Sequence, residues 1–310
     1  MADVIEPQCD SCEVKFLDSV RRSRTDIVLF MVNHGVMSRE SACTRCGNLC
    51  PLVVDDLTFR CRRRLSINKK RKRQCSFNVS ARAGTFLENS HLSVEQIFVF
   101  VSIFLHLKPP RQAFIRRELG IASATIVDWY SFTREVYVNH MVDRSERIGG
   151  PQAVVQIDEA KFGRRKYNRG RIIEGQWVFG GIDVNTKRTF LVPVESRDSA
   201  TLLALIREWI LPGTTIISDC WRAYDCLGQE GFRHLQVNHS VNFVDPETGA
   251  HTNNIERVWR EVRATIPRYG IRKKHFVGYL AEFQFKQRYS PLERIHHFFK
   301  AAGQLYPPQR

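Results

Sequence analysis

Three carboxylates lie at points where the sequence pattern changes. Asp158 and Asp219 each end a short apolar run, so each side chain would project from the end of a strand instead of into a core. Glu256 lies near the start of a helical pattern. A single Asp at a strand end most often starts a turn, but the order and setting of all three acids predict that they converge on one point.

Such a convergence would define the chemistry of the site. Carboxylates at close range raise one another's pKa values, so the cluster needs a counter-charge. Hard divalent cations, Mg²⁺ or Mn²⁺, prefer oxygen ligands and supply that charge. Two ions about 3.5–4 Å apart activate a water or a 3′-hydroxyl and stabilise the leaving oxygen in phosphodiester displacement. We therefore predict Asp158, Asp219 and Glu256 as catalytic residues and magnesium ligands.

Two further acids lie near these three in the sequence. Asp183 comes just before Asn185 and Thr186, which read as a hairpin turn, so we interpret it as a turn-flanking residue. Glu159 follows Asp158 directly and is expected on the other side of the strand, because side chains alternate along a strand. A direct influence of either acid on the site is the alternative.

The residues just before Glu256 are also polar. His251, Asn253 and Asn254 are placed to hydrogen-bond either DNA or the carboxylates. The alternative, which suits Asn253 best, is that they cap the helix that follows.

Five cysteines between residues 43 and 75 form a second candidate site. Cys43-x2-Cys46 has the knuckle spacing of a tetrahedral Zn²⁺ site. The second half is irregular, so we predict Cys43, Cys46, Cys61 and Cys75 as zinc ligands, with Cys50 as the alternative fourth ligand. A vestigial ribbon or simply buried thiols is the competing interpretation.

Other cysteines carry weaker signals. Of the nine cysteines, seven precede residue 76, and in a reducing compartment such clustering favours metal ligation over disulfides. Cys9-x2-Cys12 has no partner pair nearby in the sequence and receives no ligand role. Cys220 and Cys226 are expected in the core.

The charge of the chain suits a polyanionic partner. Its formal net charge is +15 and its isoelectric point about 9.7, and Lys and Arg near phosphates release condensed counterions. We predict that a dense basic run contacts DNA phosphates, and it also reads as a nuclear import signal. The run consists of Arg62, Arg63, Arg64, Lys69, Lys70, Arg71, Lys72 and Arg73. The N-terminus lacks the layout of a secretory signal, so we expect an intracellular and nuclear protein.

The elements that position these residues follow from the hydrophobic periodicity. Helical patterns cover 113–119 and 123–137 with Gly120 between them, which resembles a helix-turn-helix whose second helix reads DNA. The alternative is a packed helical linker, because Ile126, Trp129 and Phe132 also look like core residues. From residue 149 the order is strand, strand, strand, helix, strand, with a short helix expected over 221–227 and another over 253–266. This order predicts an α/β fold with an RNase H-like sheet.

Several stretches together resemble one family. Val155–Glu159, Gly180–Asp183, Ile216–Tyr224, Val237–Ser240, Phe243–Pro246 and Gly249–Glu256 are similar to the catalytic core of Merlin-type DDE transposases and their bacterial insertion-sequence relatives, which carry an ISXO2-like transposase domain. The similarity extends from the cysteine cluster to about Tyr289.

The resemblance implies a specific organisation. The acid triad of the family falls on Asp158, Asp219 and Glu256, and a zinc-ribbon-like module is implied for the cysteine region. A basic residue seven positions after the glutamate is usually Lys in such relatives; here it is Arg263, for which a DNA-phosphate contact is predicted. The predicted segments are an acidic leader with a helix (1–40), a zinc-ribbon-like basic module (41–86), a helical DNA-binding segment (87–148), an RNase H-like catalytic domain (149–290), and a C-terminal helix and tail (291–310).

The function that follows is metal-dependent DNA transposition. The chain would bind double-stranded DNA, specifically terminal inverted repeats, and would act as a homodimer or higher oligomer that pairs two ends. One alternative is a domesticated, catalytically silent DNA-binding protein that retains the fold. Another is a different RNase H-like nuclease such as a resolvase.

Overall fold

The computed structural model describes residues 9–68, 71–163, 175–238, 244–267 and 273–308. The first part contains α1 (Phe16–Arg21), α2 (Arg24–Asn33), β1 (Glu40–Ala42), β2 (Leu49–Val53), β3 (Thr58–Arg60), β4 (Arg64–Asn68), β5 (Arg71–Gln74), β6 (Asn78–Ser80), α3 (Val94–His106), α4 (Gln112–Leu119) and α5 (Ser123–Asp143). The second part contains β7 (Ile148–Gly149), β8 (Val154–Phe162), β9 (Gln176–Asp183), β10 (Thr189–Val194), α6 (Ser199–Trp209), β11 (Ile210–Leu211), β12 (Thr215–Asp219), β13 (Arg233–Val237), α7 (Asn253–Thr265), α8 (Phe276–Arg288) and α9 (Arg294–Leu305).

These elements form two compact units. Unit 1 contains the described residues up to 107 together with 111–139 and the C-terminal residues from 289 onward, whereas unit 2 contains 108–110 and 140–288. The predicted C-terminal segment, 291–310, therefore belongs to the same unit as the leader and the cysteine module. None of the described helices combines the length and apolar character needed to cross a bilayer.

Unit 1 is built around a buried aromatic core. Helix α3 begins at Ser93, whose hydroxyl accepts from the backbone N–H of Gln96 while the Gln96 side chain accepts in return from Ser93 N–H. This capping box starts a helix in which Phe98, Phe100 and Phe104 are fully buried. Helix α9 packs against α3 and contributes further aromatic rings, Phe298 and Phe299.

The cysteine module of unit 1 is a small antiparallel structure. Strands β1, β2, β3 and β6 form one sheet in that order, and β4 and β5 form a separate two-stranded hairpin. The predicted helix-turn-helix segment consists of α4 and α5, with Gly120 in the left-handed conformation at the end of α4.

Unit 2 contains a five-stranded sheet in the order β10-β9-β8-β12-β13. Strands β8, β9 and β10 are antiparallel neighbours, whereas β12 is parallel to both β8 and β13. Three sequential antiparallel strands, followed by two strands parallel to the first, confirm the RNase H-like fold predicted from the sequence. A smaller parallel pair, β7 and β11, completes the strands described in this unit.

Helices cover both faces of this sheet. One face packs against α6 through a core that includes Val155, Ile157 and Leu202. The opposite face packs against α7 and α8 through residues such as Ala160 and Val258. Alternation along β8 therefore sends even-numbered residues toward α7 and odd-numbered residues toward α6.

Candidate active site

The sheet register brings the two predicted aspartates together. Gln156 on β8 pairs with Ile217 on the parallel strand β12. Two residues further along each strand lie Asp158 and Asp219, in the same register and on the same face. Asp219 is the last residue of β12, whereas β8 continues to Phe162. The two carboxylates therefore leave the sheet side by side at the point where β12 ends.

Glu256 reaches the same area from α7, in the first turn of the helix. Its carboxylate accepts a hydrogen bond from the Thr252 hydroxyl at 3.0 Å, and Thr252 is buried. Electrostatics connect the three acids: burial, together with the charges of Asp219 and Glu256, raises the pKa of Asp158 to about 6, against hydrogen bonds that lower it. The structure thus places all three predicted acids in one electrostatic neighbourhood.

The three carboxylates form an open group. Their ligand atoms do not all lie within 4.8 Å of one another, in contrast to two cysteine-containing clusters among the described residues. Three anions repel one another in the absence of a cation. Ligands that hold two ions about 4 Å apart are also spread more widely than the ligands of a single ion.

Gln156 positions the helix that carries Glu256. Its side chain is buried, and its amide oxygen accepts hydrogen bonds from the backbone N–H groups of Asn254 at 2.9 Å and Ile255 at 3.2 Å. These N–H groups have no partner within the first turn of α7, and the N-cap residue, Thr252, does not cap them with its side chain. His251 Nδ1 accepts from Asn253 N–H at 3.3 Å, as the capping alternative allowed, but capping by Asn253 itself is wrong, because the oxygen that caps the next two N–H groups comes from β8.

Trp259 holds Asp158 from the same helix. The indole N–H donates to the Asp158 carboxylate at 2.9 Å, and the ring is buried. Gly180, directly opposite Asp158 on β9, makes room for this ring, since a Cβ there would lie 2.7 Å from the indole. Only the sheet and helix packing reveals this contact.

Glu159 lies on the opposite face of β8, as predicted. Its carboxylate accepts a hydrogen bond from the Tyr224 hydroxyl. Burial, together with the charges of Asp158 and Asp219, raises its pKa to about 8, whereas Arg197 acts in the other direction. Glu159 is therefore electrostatically coupled to the site although its side chain lies across the strand.

The remaining expectations in unit 2 have mixed outcomes. Asp183 accepts from the backbone N–H groups of Asn185 and Thr186, which confirms its turn role. The helix expected over 221–227 is wrong: two short 3-10 turns, Arg222–Tyr224 and Leu227–Glu230, take its place. Cys220 is exposed, so its predicted core position is also wrong.

Arg263 lies on α7 two turns beyond Glu256. Its side chain is exposed, and its guanidinium lies 5.4 Å from the centre of the Phe162 ring. Phe162 shares the Asp158 face of β8, so this cation is on the triad side of the sheet. The predicted DNA-phosphate role of Arg263 stays a prediction.

The four cysteines predicted as zinc ligands come together in unit 1. The ligand atoms of Cys43, Cys46, Cys61 and Cys75 all lie within 4.8 Å of one another, and the Cys43–Cys75 and Cys46–Cys61 sulfur distances are both 3.5 Å. Tetrahedral Zn–S bonds of about 2.3 Å give sulfur separations of roughly 3.8 Å. Cys50, the alternative ligand, is buried outside this group and contacts the Asn48 carbonyl. The donor set therefore fits a structural zinc ion.

The basic residues that are predicted to contact DNA lie next to this cluster, on and beside the β4–β5 hairpin. Arg62, Arg63, Arg64, Lys72 and Arg73 are exposed. Lys69 and Lys70 lie outside the described residues, as does the side chain of Arg71. In the helix-turn-helix segment, Ile126 and Trp129 are buried whereas Phe132 is 46% exposed, so α5 has both a packed face and an open face.

Comparison with known proteins identifies a family and a relative of this chain. Residues 145–288 match the model of the ISXO2-like transposase domain. An uncharacterised transposase-like protein of Haemophilus influenzae is 34% identical over 100 residues, which are 32% of this chain and 80% of that protein.

Two solved structures share limited similarity. One is the HTLV-2 integrase catalytic core domain in complex with magnesium, with 15% identity over 39% of this chain and 70% of that chain, at a TM-score of 0.24. The other is a simian T-cell lymphotropic virus intasome, with 16% identity over 52% of this chain and 56% of that chain, at a TM-score of 0.25. Such TM-scores are too low to support an argument, so the fold assignment rests on the strand order of unit 2.

Proposed function

This chain belongs to the ISXO2-like transposase family, and we propose that it cleaves DNA at transposon ends and transfers the strands with the help of divalent metal ions. The observation that carries the proposal is the electrostatic interaction of Asp158 with Asp219 and Glu256 beside the end of β12 in an RNase H-like sheet. Merlin-type transposases are the subgroup that the sequence motifs favour.

The donor set fits magnesium or manganese. All three side chains offer carboxylate oxygens, which hard divalent cations prefer. Burial and the charges of Asp219 and Glu256 raise the pKa of Asp158 to about 6. A divalent cation that neutralises the three carboxylates would therefore bind favourably at neutral pH. Bound there, the ions would supply an activated hydroxyl nucleophile and stabilise the leaving oxygen.

The residues of the chain itself prepare the site. Trp259 orients the Asp158 carboxylate through its indole N–H, and Thr252 orients Glu256. Gln156 ties the N-terminus of α7 to β8. Together these contacts hold the acids in place before DNA arrives, which limits the reorganisation needed during reaction.

DNA binding is assigned to the basic surfaces. We infer that the exposed Lys and Arg side chains of the β4–β5 hairpin, together with Arg263, contact the backbone of double-stranded DNA. We also infer that terminal inverted repeats are the specific targets. Pairing two ends requires a dimer or a larger assembly. The basic run also supports import into the nucleus.

Strand transfer measures this function directly. Labelled duplexes from the inverted repeats that flank the gene are incubated with the protein and Mg²⁺ or Mn²⁺. We expect nicked and joined products with the wild type and none with Asp158→Asn, while both proteins bind the duplex equally. Equal products from both proteins would refute the role of the triad. Specific DNA binding without cleavage in either metal would instead favour a domesticated, silent protein.

A further inference from the structure

A second group of metal-binding side chains lies in unit 1, away from the four-cysteine cluster. Cys9 and Cys12 precede α1, His34 follows the last turn of α2, and His296 lies in the first turn of α9. Their ligand atoms all lie within 4.8 Å of one another. No ligand role was predicted for Cys9-x2-Cys12 because its partners are far away along the chain.

The distances within this group match a tetrahedral site. His296 Nδ1 lies 3.4 Å from Cys12 Sγ and 3.7 Å from Cys9 Sγ. His34 Nε2 lies 3.5 Å from Cys12 Sγ and 3.0 Å from His296 Nδ1. Zn–S bonds of about 2.3 Å and Zn–N bonds of about 2.05 Å give edges of roughly 3.6 Å between sulfur and nitrogen and roughly 3.3 Å between nitrogens.

His34 is oriented as a metal ligand. Its Nδ1 lies 2.7 Å from the Phe30 carbonyl oxygen, to which it donates as an N–H. This bond fixes the tautomer and leaves the Nε2 lone pair directed at the two thiols and His296. A backbone carbonyl that receives the second ring N–H is the usual support of a metal-bound histidine.

A hydrogen-bonded cluster without a metal explains less of this arrangement. Thiols are weak donors and weak acceptors, and two buried imidazoles need only one hydrogen bond between them. Hydrogen bonding among these side chains therefore does not require four ligand atoms at the spacing of a tetrahedron. The two residues between Cys9 and Cys12 also give the knuckle spacing found in zinc sites.

We propose that Cys9, Cys12, His34 and His296 bind a second zinc ion that fastens the leader to both α2 and α9. Cys9 and His296 are 287 positions apart in the sequence, so one ion connects the two ends of the described chain within unit 1. Backbone contacts follow the same path: Cys9 N–H donates to Asn33 O at 3.2 Å, and Lys300 Nζ donates to Cys9 O at 3.4 Å.

The junction between α2 and α9, which the ion would span, is closely packed. Gly303 packs on the backbone that follows α2, where a Cβ would lie 2.6 Å from the Gly35 carbonyl. Phe299 stacks on Phe98 of α3 nearby, with ring centres 5.1 Å apart. The ion would add a fixed link between the leader, α2 and α9 to this packing.

Metal content tests the proposal on the full chain. Protein purified under reducing conditions is analysed by mass spectrometry of the metals after extensive dialysis. We expect two zinc ions per wild-type chain, and one after either Cys12→Ser or Cys46→Ser. Cys226→Ser, which changes a thiol outside both clusters, should retain two.

Two further measurements separate ligation from folding. His296→Ala should lose one zinc ion and His296→Cys should keep it, because a thiolate replaces the imidazole as a ligand whereas it would not restore an imidazole hydrogen bond. X-ray absorption of the wild type needs no variant, and we expect an average of three sulfur ligands and one nitrogen ligand per zinc. One zinc per chain with four sulfur ligands would overturn the proposal, whatever the transposition assay shows.

Discussion

The two units hold their candidate metal ligands in different ways. In unit 1, thiols and imidazoles approach to within 4.8 Å in two clusters, whereas the three carboxylates of unit 2 stay further apart. Thiolates and imidazoles suit the closed tetrahedral set of a structural Zn²⁺ ion, whereas carboxylate oxygens suit hard cations such as Mg²⁺, which keep part of their coordination for water and substrate. On the proposed assignments, unit 1 would use metal for its structure, whereas unit 2 would build its frame from a sheet and use metal for chemistry.

The supporting elements differ in the same way. The ligands of unit 1 lie on turns, short strands and helix ends, with few buried apolar residues between residues 40 and 80. The carboxylates of unit 2 lie on a five-stranded sheet with a helix layer on each face. A small sheet of short strands lacks the core to be stable alone, so its folding is expected to be coupled to zinc.

Metal removal should therefore unfold the cysteine module of unit 1 and leave the sheet of unit 2 folded. This is the largest effect that we expect. Structural zinc contributes about 10–16 kcal/mol of binding energy to small domains, which is as large as the usual stability of a whole domain, about 5–15 kcal/mol. A strong zinc chelator should remove amide protection from β1–β6, while β8, β9 and β12 stay protected. Hydrogen exchange with mass spectrometry measures both regions in one sample.

The matched control is omission of Mg²⁺ with zinc retained. It should leave exchange unchanged in both units. Loss of protection in the sheet of unit 2 on omission of Mg²⁺ would contradict the distinction between structural and catalytic metal.

The second-largest effect that we expect is a pH dependence of stability caused by Glu159, which is not one of the proposed metal ligands. A carboxyl whose folded-state pKa is raised stabilises the fold at low pH, and this contribution is lost as the pH rises through the folded-state pKa. Since the pKa of Glu159 is raised from 4.5 to about 8, the wild type should lose stability between about pH 4.5 and 8. Each pKa unit corresponds to about 1.4 kcal/mol, so the loss amounts to a few kcal/mol at most.

Glu159→Gln should remove this pH dependence while retaining an acceptor for Tyr224. Thermal unfolding at pH 5 and pH 8.5 without divalent metal compares the two proteins. The variant should gain stability over the wild type as the pH rises. A constant difference across this range would show that Glu159 does not titrate there.

A smaller effect is expected from Gln156→Leu. The substitution removes the oxygen that caps two backbone N–H groups at the start of α7, which should cost about 1–2 kcal/mol. Urea unfolding measures the loss, with the exposed Gln236 changed to Ala as a control. Because α7 carries Glu256, strand cleavage should fall more than stability alone explains; a variant with wild-type cleavage would show that the cap does not position this acid.

Local patterns in the sequence predicted much of both sites. Asp158 and Asp219 were identifiable because an apolar run that ends in an acid marks the end of a strand. The four-cysteine cluster was identifiable because its first pair has the spacing of a knuckle. Each of these signals is contained in a few consecutive residues.

The contacts between distant elements were not predictable in this way. The bonds from Gln156 to α7 and from Trp259 to Asp158 depend on how a helix packs on a sheet. His34 and His296 are separated by 262 positions, and each occupies a helical pattern where a histidine has no distinguishing signal. The prediction of a helix over 221–227 was wrong because the segment forms two separate 3-10 turns.

The central claim is that Asp158, Asp219 and Glu256 share divalent ions. Titration of the zinc-loaded full chain with Mn²⁺, followed by electron paramagnetic resonance, measures this binding without any DNA substrate. Asp158→Asn, Asp219→Asn and Glu256→Gln should each weaken Mn²⁺ binding by roughly tenfold or more, the equivalent of about 1.4 kcal/mol, whereas Glu159→Gln on the other face of β8 should not weaken it. Equal Mn²⁺ binding by the wild type and all three triad variants would contradict the account.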